Sequence, residues 1–378
     1  MKKSLVALAA LAFVGVASAQ SSVTLFGVVD ATVAFGNGSI SNRTQLTHSG
    51  YNSSRLGFRG TEDLGGGLNA SFWLEAGVNN DNGSGQATSS NNQSTGGATV
   101  GGVAPTGANA VATNGTQGLT FNRRSTVSLG GAFGEVRLGR DYTPQFWNQT
   151  TFDPFGTNGV GTTQTINGLA NGATGAPSSN PSALTAVRAS NSIGYFLPTM
   201  GGIYGQVQVS MGENLKNGAT TEKDGNGAGV RVGYAAGPIN AALAFSDTKY
   251  AIGNLKSINI GGSYDLGVAK LSGMITRDNN SITADGKGYL LGVNAPMGAG
   301  EIRAAYSTYK IDSIGSSIDP KSSKLALGYV HNLSKRTALY TTVARLTNNG
   351  GAAVALNGAS TAVNNNSTGV DIGVRHSF

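Results

Sequence analysis

The stretch that decides the fold begins Glu135-Val136-Arg137-Leu138-Gly139-Arg140-Asp141-Tyr142. Its alternation places Val136 and Leu138 on one face and Glu135 and Arg137 on the other, a strand apolar on one side and charged on the other. About forty residues rich in Gly, Asn, Thr and Pro follow, from Thr143 to about Ala186, broken by Phe152-Asp153-Pro154-Phe155-Gly156. A second strand then reads Val187-Arg188-Ala189-Ser190-Asn191-Ser192-Ile193-Gly194-Tyr195. A connection of that length inside a compact protein is either disordered or functional.

Outward from this stretch the same pattern recurs. Val23, Leu25, Val29 and Val33 share a face against Thr24, Asp30 and Thr32. Leu56 and Phe58 oppose Arg55 and Arg59; Phe72, Leu74 and Ala76 oppose Ser71, Trp73 and Glu75. Arg124, Thr126 and Ser128 oppose Val127 and Leu129, and Ile203, Val207, Val209 and Met211 oppose Tyr204, Gln206, Gln208 and Ser210. Further strands are predicted at about 228–234, 239–246, 255–265, 268–277, 286–295, 300–309, 322–331, 336–346 and 368–378. In 336–346, Leu339 and Val343 compete with Tyr340 and Ala344 for the apolar face. The total is sixteen strands, with short and long connections alternating. The segments 79–118 and 347–367 are low in complexity and read as polar outer loops.

Composition narrows the class. Lys2-Lys3, the apolar run Leu5 to Val16 and Ala17-Ser18-Ala19 have the form of a cleaved export signal, residues 1–19, leaving one domain over 20–378. Removing the two lysines takes the formal charge from +7 to +5. The chain has no cysteine, which excludes a disulfide scaffold and a thiolate metal site. It has 58 glycines and only 12% charged residues, and no later apolar run approaches the ~18 residues of a transmembrane helix.

Alternation alone does not separate a soluble sandwich from a membrane barrel. The unequal connections do, because membrane barrels pair short turns at one end with long loops at the other. One face carries Arg55, Arg59, Glu75, Arg137, Arg231, Lys270, Arg303 and Asp371, so a whole side of the sheet is wet. In hydrocarbon an unpaired backbone group costs several kcal/mol, so the last strand must close on the first. The reading is all-β: a transmembrane antiparallel 16-stranded β-barrel.

The residues resemble the general-diffusion porins of Gram-negative outer membranes, in their trimeric sixteen-stranded branch. The segments that carry the likeness are Val23-Thr24-Leu25-Phe26-Gly27, Ser54-Arg55-Leu56-Gly57-Phe58-Arg59-Gly60, Phe133 through Arg140, Asn191-Ser192-Ile193-Gly194-Tyr195 and the terminal Arg375-His376-Ser377-Phe378. The resemblance implies an inward-folded third extracellular loop, 143–186, that narrows the pore against a basic wall. It assigns that wall to Arg55, Arg140 and Arg188, with Arg59 and Arg124, and the opposing acids to Glu75 and Asp153. Strict alternation turns Arg140 outward; only the resemblance, with the strand ending there, places it inside. The chain also departs from the family's Pro-Glu-Phe-Gly, having Asp153-Pro154-Phe155-Gly156. Further lumen lining is assigned to Asp30, Arg137, Trp73, Tyr204 and Arg231, and aromatic girdles to Tyr195, Tyr234, Tyr264 and Tyr306.

On this reading the protein passes small hydrophilic solutes and inorganic ions, with a mild anion preference because arginines outnumber acids among the inward candidates. The resemblance also implies a homotrimer among outer-membrane lipid and lipopolysaccharide, delivered by barrel-assembly machinery that reads Phe378. No cofactor and no nucleic acid are expected. His48, His331 and His376 have no partners suggesting a catalytic triad, and no metal cluster or phosphate loop is seen. Trp73 and Tyr204 are too few for the aromatic run of a sugar channel. An adhesin or structural barrel using the long loops is the other alternative.

Overall fold

The computed structural model describes residues 22–86, 92–93, 118–163, 185–219, 221–250, 253–280 and 284–378. The segment 1–19 lies outside them. Eighteen strands, β1 to β18, form one sheet. Two are short returns, β2 (Arg43–His48) and β5 (Ser84–Gly85); the other sixteen make the wall. All neighbouring strands pair antiparallel, and β1 (Ser22–Gly38) closes on β18 (Ser367–Ser377), with Val28 opposite Ser377 through Gly38 opposite Ser367. No edge is left, as hydrocarbon requires.

The burial pattern is that of a soluble protein turned inside out. In β11 (Ile239–Tyr250), Leu243 and Phe245 face outward and are exposed, whereas Ala242, Ala244, Ser246 and Thr248 face the lumen and are covered. Tyr234, Tyr264 and Tyr306 are exposed on the outer surface, and the Tyr195 hydroxyl donates to the Phe133 carbonyl at 2.6 Å. The competing faces of β17 (Thr337–Asn349) resolve the same way: Leu339 and Val343 point out, Tyr340 and Ala344 are buried.

Three expectations change. The outer connections do not all run long, since β11 and β12 (Gly253–Asp265) are separated only by 251–252, and β13 (Lys270–Asn280) and β14 (Ala284–Met297) only by 281–283. Strands that continue past the membrane stay paired to their ends, so β-structure replaces loop there. The segment 347–367 is no simple polar loop. Val354 and Leu356 are buried in it, and the Asn348 side-chain amide donates to the carbonyls of Val354 and Asn365 at 2.8 and 2.7 Å. Finally, a helix was missed: α1, Pro144–Phe152, with Thr143 extended at the N-cap position and Pro144 opening the first turn. Thr-Pro at that spacing is a helix-start signal that the surrounding glycine-rich composition masked.

The apolar core is where the third outer loop meets the wall. Inward faces of β11 to β18 are paved with Gly and Ala, including Ala305, Ala326 and Ala344. Phe152 lies so close over Gly261, and Pro154 over Gly292, that a β-carbon at either glycine would come within 2.2 Å and 2.1 Å of the ring. Phe155 and Val160 join Met274, Leu290, Tyr309, Ile311, Leu346 and Leu356 in one cluster. Small residues on one wall make room for the loop, and the open passage is displaced to the opposite wall.

Candidate functional site

Residues 144–163 cross the lumen, held by polar contacts to inward side chains. Asn148 of α1 donates to the Ala242 carbonyl at 3.0 Å and accepts from Arg231 Nε at 2.6 Å; Asn259 donates to the Gln145 carbonyl at 3.0 Å. Further along, Val160 N–H donates to Asp371 Oδ2 at 2.7 Å. The Lys324 amino group donates to the Val160 carbonyl at 3.0 Å and to that of Thr162. The first outer loop meets this segment, with Ser53 Oγ donating to Asn158 Oδ1 at 2.6 Å.

The opposite wall is basic. Glu75 of β4 (Leu68–Asn79) accepts from Arg123 Nε at 2.6 Å, and Arg55 of β3 (Arg55–Gly65) stands 3.9 Å from the same oxygen. The Tyr142 hydroxyl accepts from both Arg123 and Arg188 at 3.1 Å; the Arg188 guanidinium lies 4.6 Å from the Tyr142 ring centre. Arg55, Arg123, Tyr142, Arg188 and the loop border a throat of about 570 Å³, which also meets Lys270, Glu301 and Arg303; Glu75 stands behind Arg55 and Arg123. Arg303 is paired with Glu301 at 2.6 Å. Toward the short turns the lumen widens into a vestibule of about 600 Å³ lined by Arg59, Trp73, Arg124 and Arg137.

Several expected positions differ. Arg140 lines neither the throat nor the vestibule. Its guanidinium donates to the Asn122 carbonyl at 2.5 Å and to Ser190 Oγ at 2.7 Å. Gly139 sits at φ 122° where the pairing with β8 (Arg188–Phe196) shifts register, and the odd residues Arg137 and Asp141 share the lumen side, joined by a salt bridge. Arg123 stands at the throat instead; it precedes β6 (Arg124–Gly131), so the even-odd rule says nothing about it. The doubled Arg123-Arg124 was the available signal.

Asp153 is not an acid facing the arginines. Its Oδ1 accepts from Phe155 N–H at 2.8 Å, and its Oδ2 from Thr163 N–H at 2.8 Å and Thr162 Oγ1 at 3.3 Å. It is buried as an internal staple of the loop, and burial pushes its carboxyl above the usual carboxylate range. Proline after the acid, rather than before it, fits this inward turn. Asp30 is likewise not wet lining. At 0% exposure it accepts from the backbone N–H groups of Tyr51 and Asn52 at 2.9 and 2.6 Å, and from the Tyr340 hydroxyl. It anchors the first outer loop. Asp30→Ala takes the acceptor from these three donors, of which the Tyr340 hydroxyl keeps Thr32 and the part-buried Tyr51 and Asn52 N–H groups lose theirs, at about 1 kcal/mol each; a lowered unfolding temperature and faster chymotryptic cleavage after Tyr51 are expected.

Arg231 and Tyr204 serve the helix rather than open water: Arg231 lies 4.7 Å from the Tyr204 ring centre and holds Asn148. Arg137 is balanced by Glu135 at 2.9 Å and by Asp141. Trp73 donates from Nε1 to Glu75 at 3.0 Å and lies between Arg59 and Arg124. Phe378 pairs backbone to backbone with Gly27 at 3.0 and 3.1 Å, its ring lying across that glycine. Among the described residues, no group of three or more His, Cys, Asp or Glu could hold a metal.

A closed cylinder, apolar outside and polar within, crossed by its own loop and open along a charged wall, is an outer-membrane diffusion channel. The model of the Gram-negative porin family matches residues 5–351, and the chain belongs to that family. It is 40% identical over 394 residues to outer membrane porin protein 32 of Delftia acidovorans, covering 100% of both chains. An outer membrane porin protein of Bordetella pertussis is 28% identical over 400 residues, covering 90% of this chain and 93% of that one. The solved anion-selective porin from Comamonas acidovorans superposes with a TM-score of 0.76 at 37% identity, covering 95% of this chain and all of that one. OmpT of Vibrio cholerae, at 12% identity and a TM-score of 0.62 over 95% of this chain and 99% of that one, shares the fold. The protein is thus a porin of the Gram-negative outer membrane, forming a water-filled channel for passive diffusion of small hydrophilic solutes and ions.

Proposed function

We propose that this porin is anion-preferring and that its selectivity is set in the throat by Arg55, Arg123 and Arg188 against Glu75. The observation that carries this is the charge balance. Three guanidiniums and one carboxylate leave +2 on this wall, Lys270 adds a further positive charge while Arg303 and Glu301 cancel, and Asp153 on the loop is turned inward and buried. Guanidinium stays charged at any working pH, and a solute passing a few ångströms away exchanges bulk water for that field. The solved Comamonas relative, described as anion-selective, agrees with this reading.

The same reading takes residues 1–19 as a removed export signal, 20–378 as one barrel domain and 143–186 as its constriction loop. The assembled form is a homotrimer embedded in outer-membrane lipid and lipopolysaccharide, with Phe378 read by the assembly machinery. The porin transports without chemistry. The test is reconstitution in a planar bilayer under a potassium chloride gradient. A reversal potential on the chloride side and conductance steps in threes are expected; a reversal potential on the potassium side refutes the throat assignment.

A further inference from the structure

We propose that the short-turn vestibule holds a second anion station, built on Arg59, that binds small oxyanions such as inorganic phosphate separately from the throat. It rests on the anion-preferring reading and adds a site to it. Arg137 in this vestibule is balanced by Glu135 and Asp141, and Arg124 has Asp141 at 3.8 Å. Arg59 is exposed, and among the described residues no carboxylate oxygen lies within 4.0 Å of it.

Its guanidinium is held instead by rings, 5.2 Å from the centre of Phe26 and 5.1 Å from that of Trp73, while Arg124 lies 4.6 Å from Trp73. Contact with two ring faces restrains the guanidinium without taking up its N–H donors. Thr61 and Ser71 face each other across β3 and β4 and line the same vestibule. A tetrahedral oxyanion can meet the guanidinium fork with two of its oxygens at once, a bidentate geometry that a single chloride ion does not match. Arg59 and Arg55 share a face of one strand four residues apart, roughly 13 Å. That exceeds the Debye length of about 8 Å at physiological salt, so station and throat can be occupied together.

Phosphate added to the short-turn side of single channels carrying chloride is expected to block part of the current. In Arg59→Gln the half-blocking concentration should rise about tenfold, the change for losing one hydrogen bond to a charged group. Arg59→Lys keeps the charge without the stacked plane and should show a smaller rise. Absence of block in the native channel, or equal half-blocking concentrations in native and Arg59→Gln channels that still reverse on the chloride side, overturns the station alone. Should the glutamine variant not assemble, an Arg59→Lys channel blocked at the native concentration does the same. Reversal of the native channel on the potassium side overturns the anion reading beneath it.

Discussion

Replacing Arg55 and Arg188 together by glutamine is expected to move the reversal potential in a salt gradient most of the way toward zero. The change removes two of the throat's positive charges: Arg123 and Glu75 remain as a pair at 2.6 Å, Arg303 and Glu301 as another, and Lys270 is left as the throat's one cation without an ion-pair partner among the described residues. Two net charges about 7 Å from a passing ion are worth roughly 1 kcal/mol at a water-like dielectric, favourable to an anion and unfavourable to a cation, before screening by salt. The permeability ratio should therefore fall several-fold toward unity, and the native preference should weaken at high salt. Keeping Arg123 avoids stranding Glu75 in a covered site. Arg140→Gln is the matched control: its guanidinium serves Asn122 and Ser190, so the reversal potential should not move. If Arg140→Gln shifts it as far as the double variant, the wall has been assigned to the wrong residues.

Lys324→Met should give a noisy channel whose conductance fluctuates between levels. Lys324 is 1% exposed and donates to two consecutive stretches of the crossing loop, at Val160 and Thr162. Methionine fills a similar volume and donates nothing, so the loop loses both of these charge-assisted hydrogen bonds, about 1.5–3 kcal/mol each. Asp371 still accepts from Val160 N–H, and the Phe155 and Val160 side chains keep their apolar seat, so the loop should loosen without leaving the lumen. Current traces and the unfolding temperature check this together. A quiet trace at native conductance would show that packing alone fixes the loop.

Fold was largely legible because strand alternation records which medium each face meets. Val23, Leu25, Val29 and Val33 could face only hydrocarbon, and each is exposed on the outside. Functional residues inside regular strands, such as Arg55 and Glu75, could be placed on the lumen side by parity; Arg188, beyond the register shift between β7 and β8, was placed by resemblance. What failed lay where parity lapses: Arg123 before a strand, Arg140 beside the Gly139 bulge and Asp153 in an irregular loop. Asp30 obeyed parity yet is dry, because a loop no pattern foretold lies over it.

The sequence by itself determined a closed sixteen-stranded barrel, greasy outside and polar within, since the two-residue period and the need to pair every backbone group leave no other arrangement in a membrane. Only the tertiary structure decided which inward charges meet water. That depends on where two loops fold back across the lumen, a matter of small residues such as Gly261 and Gly292 accepting Phe152 and Pro154 from distant parts of the chain. Local pattern carries the side of the wall; long-range packing decides what covers it.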